Sequence, residues 1–400
     1  MQIQDRGRPQ LRRRPAPSAS PAATGYRVWV SREGDDPAWD AFLAETPGGH
    51  YVQTSMWACM KARSGWSAAR VVVASGERIV AGGQLLIHQL PALGAIGYVP
   101  KGPILAGDDP QRARVVLDGL HRLAREQRVR YLAVQPPDIG PDLLRLLAEE
   151  GFEPQPRLGT CAATLLIDLT PGLDGILAQM KRRTRANIRR SQELGVGVRE
   201  GSEADLDTFY RLLAAAGQRK QFPIYSRSYY GALWRTLAPG GHIRLFLAEC
   251  AGEAVAAQLA IPFGDTLFSH VSAWSGSHGS YKPNEALEWA AIVWAKAHGY
   301  RRYDFEGIDQ RAARAILRGE PLPDSLTPDT DRMVTRYKLG FGGRVALLPG
   351  ACDYIYNPIL RWGYRTAFPL LQRRRVITRL RKAVSRVIQP RMSKRYDGGS

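Results

Sequence analysis

Cysteine is scarce in this 400-residue chain: the four present, Cys59, Cys161, Cys250 and Cys352, lie far apart. No CxxC pair or Cys/His ligand spacing joins them, which argues against a zinc module and a disulfide framework, and no metal is expected. No run of 18 or more apolar residues occurs, so nothing in the sequence can span a bilayer. The Arg-rich start lacks the apolar core of a secretory signal, and the protein is expected in the cytoplasm. An H-E-x-x-H pair and a nucleophilic Ser or Cys constellation are also missing, which removes the common hydrolases.

What is present is a 44% hydrophobic composition, enough to bury a large core in two to three domains. The formal charge of +19 is unevenly placed. Residues 1–24 carry +4 and residues 359–400 carry +11, so 25–358 is left with an ordinary +4. Residues 1–24 are rich in Pro, Ala and Arg with few large apolar side chains, and read as a disordered basic tail. In 359–400, Val376, Leu380, Val384 and Val387 recur at helical spacing with Arg373, Arg374, Arg375, Arg379, Arg381, Lys382 and Arg386 between them. Such a basic amphipathic helix suits an anionic leaflet, which would bring the protein peripherally to the inner face of the membrane; RNA is the other polyanion it could meet.

Between the tails, strand and helix patterns alternate. Residues 27–30, 69–74, 82–88 and 131–135 read as strands, and 39–43, 115–127 and 142–150 as helices. A similar succession restarts at Thr164. Thr170 and Pro171 can open a helix whose apolar face runs on to Ile188 and Gly195. Strands follow at 196–200, 243–250, 254–262 and 266–273, with helices at 204–216 and from Asn284 to Gly299. Residues 311–332, with their Pro-rich stretch, read as a loop. Two copies of one mixed α/β plan fit this pattern.

Three blocks carry chemistry. Tyr337-Lys338-Leu339-Gly340-Phe341-Gly342-Gly343 sets one cation among aromatics, with glycines that let the backbone turn tightly and approach a ligand. The ammonium can meet a phosphate or a developing oxyanion, although a glycine-rich turn at a strand end has the same composition. Lys181 to Arg190 holds six cations and no acid, a mutual repulsion that a phosphate partner would offset. Tyr303-Asp304-Phe305-Glu306-Gly307-Ile308-Asp309 alternates as a buried strand does, with Asp304 read as structural and Glu306 able to polarise an amine.

In this order and spacing the blocks resemble the FemABX family of peptidoglycan-bridge aminoacyltransferases, from about Tyr51 to Asp353. The resemblance implies an α/β (α+β) fold of two tandem GNAT-like domains, mixed sheets flanked by helices. They would be formed by 25–165 with 340–358, and by 166–339. It also implies transfer of an amino acid from aminoacyl-tRNA, as co-substrate and without other cofactor, to an amino group of a nucleotide- or lipid-linked peptidoglycan precursor.

Residue by residue, the resemblance assigns Lys338 and Tyr337 to catalysis at the tRNA acceptor end. It assigns Trp57, Lys61, Lys101, Arg219, Tyr229 and Tyr230 to the precursor, and Lys181, Arg182, Arg185, Asn187, Arg189, Phe341 and Gly342 to tRNA or phosphate. The family's first-domain Asp has no counterpart, because Ala106 stands where it is expected; Asp108 and Asp109 come slightly later. Two other functions compete. An acyl-CoA-dependent GNAT-type N-acyltransferase would need a pyrophosphate loop, and Gln192 to Gly197 matches one only with the wrong polarity. A non-catalytic polyanion-binding adaptor would explain the tails but not the internal blocks.

Overall fold

Asp109 begins a helix where the chain needs one: its carboxylate accepts the Gln111 amide at 2.9 Å, and Pro110 occupies the first turn. Local signals of this kind lay out the first half of the chain. β1 (Arg27–Ser31) and α1 (Pro37–Glu45) precede α2 (Ser55–Ala62), β2 (Trp66–Ser75), β3 (Arg78–Leu90), β4 (Gly94–Val99) and β5 (Ile104–Leu105). Then come α3 (Pro110–Glu126), β6 (Val129–Val134), α4 (Pro141–Glu149) and β7 (Glu153–Pro154). The computed structural model describes residues 25–91, 94–137, 141–155, 161–323, 332–358 and 361–362. The basic tail 1–24, and the amphipathic helix read within 359–400, lie outside them. Among the described residues no helix is long and apolar enough to cross a membrane.

The second half runs β8 (Ala163–Asp168), α5 (Leu173–Gln179), α6 (Arg182–Glu193), β9 (Gly197–Glu200), α7 (Leu206–Lys220) and α8 (Arg227–Leu237). β10 (Arg244–Cys250), β11 (Glu253–Phe263), β12 (Thr266–Trp274), α9 (Pro283–Ala297) and β13 (Arg302–Asp304) follow. α10 (Gln310–Leu317), α11 (Arg332–Lys338), β14 (Arg344–Leu347) and β15 (Cys352–Ile355) close it.

These strands form two mixed sheets of one plan. The first has the order β1-β2-β3-β4-β6-β15-β7 with β5 on β3, and the second β14-β8-β13-β12-β11-β10-β9. In each, a four-strand antiparallel meander meets one parallel neighbour: β4 beside β6, and β12 beside β13. The second sheet is built from the uninterrupted run β8 to β14, whereas the first takes one strand from outside its own contiguous stretch, β15, which returns at the end of the chain's described strands. The 340–358 return read as part of the first domain therefore divides. β14 pairs with β8 in the second sheet and only β15 crosses back.

Two further expectations are corrected. The helix read through 170–195 is two, because Met180 and Lys181 are extended and the Lys181 amide donates to Gly340 instead of continuing the helix. Within 311–332, α10 is helical, started by Asp309, whose carboxylate accepts from the amides of Arg311 and Ala312.

Between the sheets, α1, α2 and the 3₁₀ turn Tyr51–Gln53 pack on α7, α8 and β12. Trp39, Phe42 and Trp57 share one core with Phe209, Leu233 and Phe268, so the two halves are joined by an apolar seam.

Candidate active site at the seam

The parallel pair β12/β13 stays in register from Thr266 opposite Arg302 to Phe268 opposite Asp304. Beyond that the strands splay, because Phe305 and Ile308 turn their amides to Leu165 and Ala163 on the other side. At the same level β12 carries a bulge: Val271 pairs with Leu259 and Ser269 with Ala260, leaving His270 as the extra residue. A bulge kinks its strand and re-aims the unpaired side chain. His270 and Glu306 thus meet in the wedge, Nδ1 to Oε2 at 3.3 Å.

The first half closes the wedge. Tyr51, 5% exposed, donates its hydroxyl to Glu306 Oε1 at 2.7 Å, and its oxygen lies 3.2 Å from His270 Nδ1. Trp57 stands edge-on to Tyr51 at 5.2 Å and lies 6.2 Å from the His270 ring. The Lys61 ammonium sits 5.4 Å over Trp57, and burial pushes its pKa down to about 8. Glu306 remains 23% exposed, so a substrate can reach it.

Glu306 takes a conformation that side chains rarely adopt, φ 44°, and the next residue, Gly307, has φ 97°. Lys338 holds this turn. Its ammonium donates to the carbonyls of Phe305 (2.8 Å), Glu306 (3.2 Å) and Gly307 (2.7 Å), using all three protons. Asp304 braces the turn from behind, accepting from the Glu306 amide at 2.8 Å and from the Thr164 hydroxyl. Burial raises the Asp304 pKa to about 6. Burial also pushes Glu306 upward, but its bonds to His270 and Tyr51 outweigh this and leave its pKa below the usual value. Glu306 is a carboxylate at neutral pH.

Two family models match this chain, the FemAB family over residues 35–144 and the acetyltransferase (GNAT) domain over 178–314. The lipid II:glycine glycyltransferase of Staphylococcus saprophyticus is 26% identical over 236 residues, 55% of this chain and 56% of that protein. The enzyme of the same name from Staphylococcus aureus strain MRSA252 is 26% identical over 226 residues, 52% of each. The chain is thus similar to FemAB-type proteins in its first half and to acetyltransferase (GNAT) domains in its second. It spans about half the length of the curated relatives it matches. The crystal structure of FemX superposes with a TM-score of 0.72 at 20% identity, covering 82% of this chain and 97% of FemX, and so shares the tandem fold.

Within this tandem fold the sequence-predicted residues separate. Trp57, Lys61 and Lys338 meet at the seam, as described above. Lys101, at φ 48° after β4, acts electrostatically on His50 and Asp304 there, and its ammonium has no hydrogen bond among the described residues. Tyr229 stacks on Tyr225 at 4.1 Å and acts on Tyr51.

Others serve the fold instead. Tyr230 is buried against Phe209, and Phe341 is fully buried against Phe305 and Tyr337, so neither can touch a ligand. The Tyr337 hydroxyl is enclosed without a hydrogen-bond partner among the described residues. Gly342, at φ 78°, lies against the Gln179 carbonyl, where a Cβ would come within 2.3 Å; its role is close packing. Arg219 donates its fork to the carbonyls of Trp274 and Ser275 and lies over the Trp274 ring. On α6, Arg185 bonds the Met180 and Ala178 carbonyls and Asn187 bonds Glu285, while Lys181, Arg182 and Arg189 stay exposed. Asp109 caps α3 and is held by Tyr26 and Arg112, and Asp108 is exposed along a separate groove, so neither replaces the missing first-domain Asp.

Sequence reasoning missed Tyr51 and His270 because their meeting is tertiary, 219 residues apart, and a bulge leaves no mark in composition. Among the described residues no group of three or more His, Cys, Asp or Glu could hold a metal ion.

Proposed function

We propose that this protein is an aminoacyltransferase that moves an amino acid from aminoacyl-tRNA onto an amino group of a peptidoglycan precursor, as in interpeptide bridge formation. The observation that carries the reading is the seam itself. Tyr51, Trp57 and Lys61 of the first half converge with His270, Glu306 and Lys338 of the second, so two substrates entering from opposite halves can meet. Forming an amide from an ester is downhill and requires no coupled energy source. What the site must supply is alignment, a basic environment for the amine and stabilisation of the developing oxyanion.

The similarity to lipid II:glycine glycyltransferases favours a lipid-linked acceptor. Lys61 would face its phosphates, and the exposed cations of α6 the tRNA backbone. The basic tail, if it lies on an anionic leaflet, would keep the protein near such an acceptor. The acyl-CoA alternative gains no support at Gln192–Gly197: these residues end α6 and open β9, with no helix N-terminus there to cradle pyrophosphate.

The test incubates the purified protein with labelled aminoacyl-tRNA and either nucleotide-linked or lipid-linked muropeptide. Label reaching the muropeptide, and lost on RNase treatment, is the expected result. Label from an acyl-CoA panel and none from tRNA would replace the reading.

A further inference from the structure

The three N–H bonds of Lys338 are all engaged by the carbonyls of the turn that presents Glu306. A cation so engaged has no proton left for a tRNA phosphate or an oxyanion. What it does, in this geometry, is hold a carboxylate-bearing residue at φ 44° in the mouth of the splayed strands. The first half lacks a base at Ala106, and Asp108 and Asp109 are turned elsewhere. We propose that Glu306 binds the acceptor amine and accepts its proton, with His270 and Tyr51 as partners and Lys338 as the positioning residue of the turn. The proposal rests on the transfer reading above and names the group that performs its proton chemistry.

The step balances as follows. The acceptor arrives as an ammonium, pairs with the Glu306 carboxylate, and gives one proton through Glu306 and His270 to solvent. The freed amine attacks the ester carbonyl; a C–N bond forms and the C–O bond to the ribose breaks. The second amine proton passes through Glu306 to the departing ribose oxygen. His270 is placed for this shuttle because its Nδ1 contacts both Glu306 and the Tyr51 hydroxyl. The charged and titratable groups facing Glu306 are Tyr51 and His50 from the first half, Asp304 beside it in the turn, His270 on β12, Lys101 after β4, Cys161 before β8 and Lys338 on α11. Lys101, without a hydrogen bond among the described residues, is the cation left to meet the oxyanion.

Two measurements test this on the full-length chain. The first is binding of a short peptide with a free lysine side-chain amine, compared with the same peptide acetylated at that amine. Wild type is expected to prefer the free amine by roughly tenfold or more, and Glu306→Gln to show no preference while melting as wild type does. A Glu306→Gln protein that keeps the wild-type preference for the free amine overturns the amine site, whether or not any transfer is seen.

The second is single-turnover transfer from labelled aminoacyl-tRNA. Glu306→Gln is expected to lose roughly 10²-fold or more in rate, with aminoacyl-tRNA affinity unchanged and a residual rate that climbs with pH as the acceptor amine deprotonates itself. Lys338→Ala should show the same rate loss at saturating tRNA, and Lys338→Arg a partial rescue. A Lys338→Ala protein that reaches the wild-type rate once tRNA is saturating overturns the positioning role and returns this lysine to tRNA binding. Amine preference without transfer by the wild type from any aminoacyl-tRNA would leave the Glu306 site standing and remove the tRNA reading.

Discussion

Lys61 has one of the few lysine ammoniums whose charge is set by its surroundings: burial over Trp57 brings its pKa to about 8. Its positive form therefore fades as pH rises through that value. If it faces the precursor's phosphates, the dissociation constant for a nucleotide-linked precursor should be flat below pH 7.5 and rise by up to tenfold between pH 8 and 9.5. Lys61→Arg should keep the affinity flat across the range, since guanidinium stays charged. Asp304 gives a stability prediction of opposite sense. Its folded pKa, about 6 and raised by burial, exceeds the unfolded value, so the stabilisation it gives is present below pH ~4 and lost as pH rises through 6. Asp304→Asn should therefore melt above wild type at pH 7.5, by about 1–2 kcal/mol, and match it at pH 4 in thermal scans. Trp57 and Lys61 were legible because i and i+4 share a helix face. Tyr51, His270 and Glu306 were not legible as a set, because a bulge, a splay and a left-handed residue bring them together.

The segment Tyr337–Gly343 was legible as a place where glycine is required, and the reason proved to be helix and strand packing. It ends α11 and runs through a 3₁₀ turn into β14, against α5 and α6. A Cβ at Gly340 would meet Thr184 Oγ1 at 2.5 Å, and one at Gly343 the Leu166 carbonyl at 2.5 Å. The cationic helix is thus docked on the loop that carries Lys338, which ties two of the blocks read from the sequence into one element pair. Gly342→Ala, placed at φ 78° and 2.3 Å from the Gln179 carbonyl, should destabilise by about 2–4 kcal/mol, measured as the urea midpoint. An unchanged midpoint would show that the loop can shift. Strands and most helices followed from alternation and caps. The break between α5 and α6 did not, because it depends on a hydrogen bond to Gly340, some 160 residues away.

At the scale of the molecule, the two halves share a core, and the site lies on that shared surface. Cutting a well-buried side chain on one half should weaken both. Leu233→Ala on α8, fully buried against residues of both halves, should cost about 2–5 kcal/mol and lower a single calorimetric transition without splitting it. Two resolved transitions would mean that the seam couples the halves only weakly. The tandem plan was legible as a repeat of patterns, while the return of β15 to the first sheet was not, since it is four residues long and its partners are far upstream.

That late strand has a consequence for how the protein is made. β15 lies between β6 and β7, and β7 has no other partner among the described strands. A nascent chain emerging from the ribosome can form every strand of the second sheet before residue 352 exists. Its first sheet, synthesised earlier, must wait with β6 unpaired on one side. The N-terminal half therefore finishes last, and a ribosome that stalls between β14 and β15 would leave an open edge of Tyr131–Val134 free to pair with another chain.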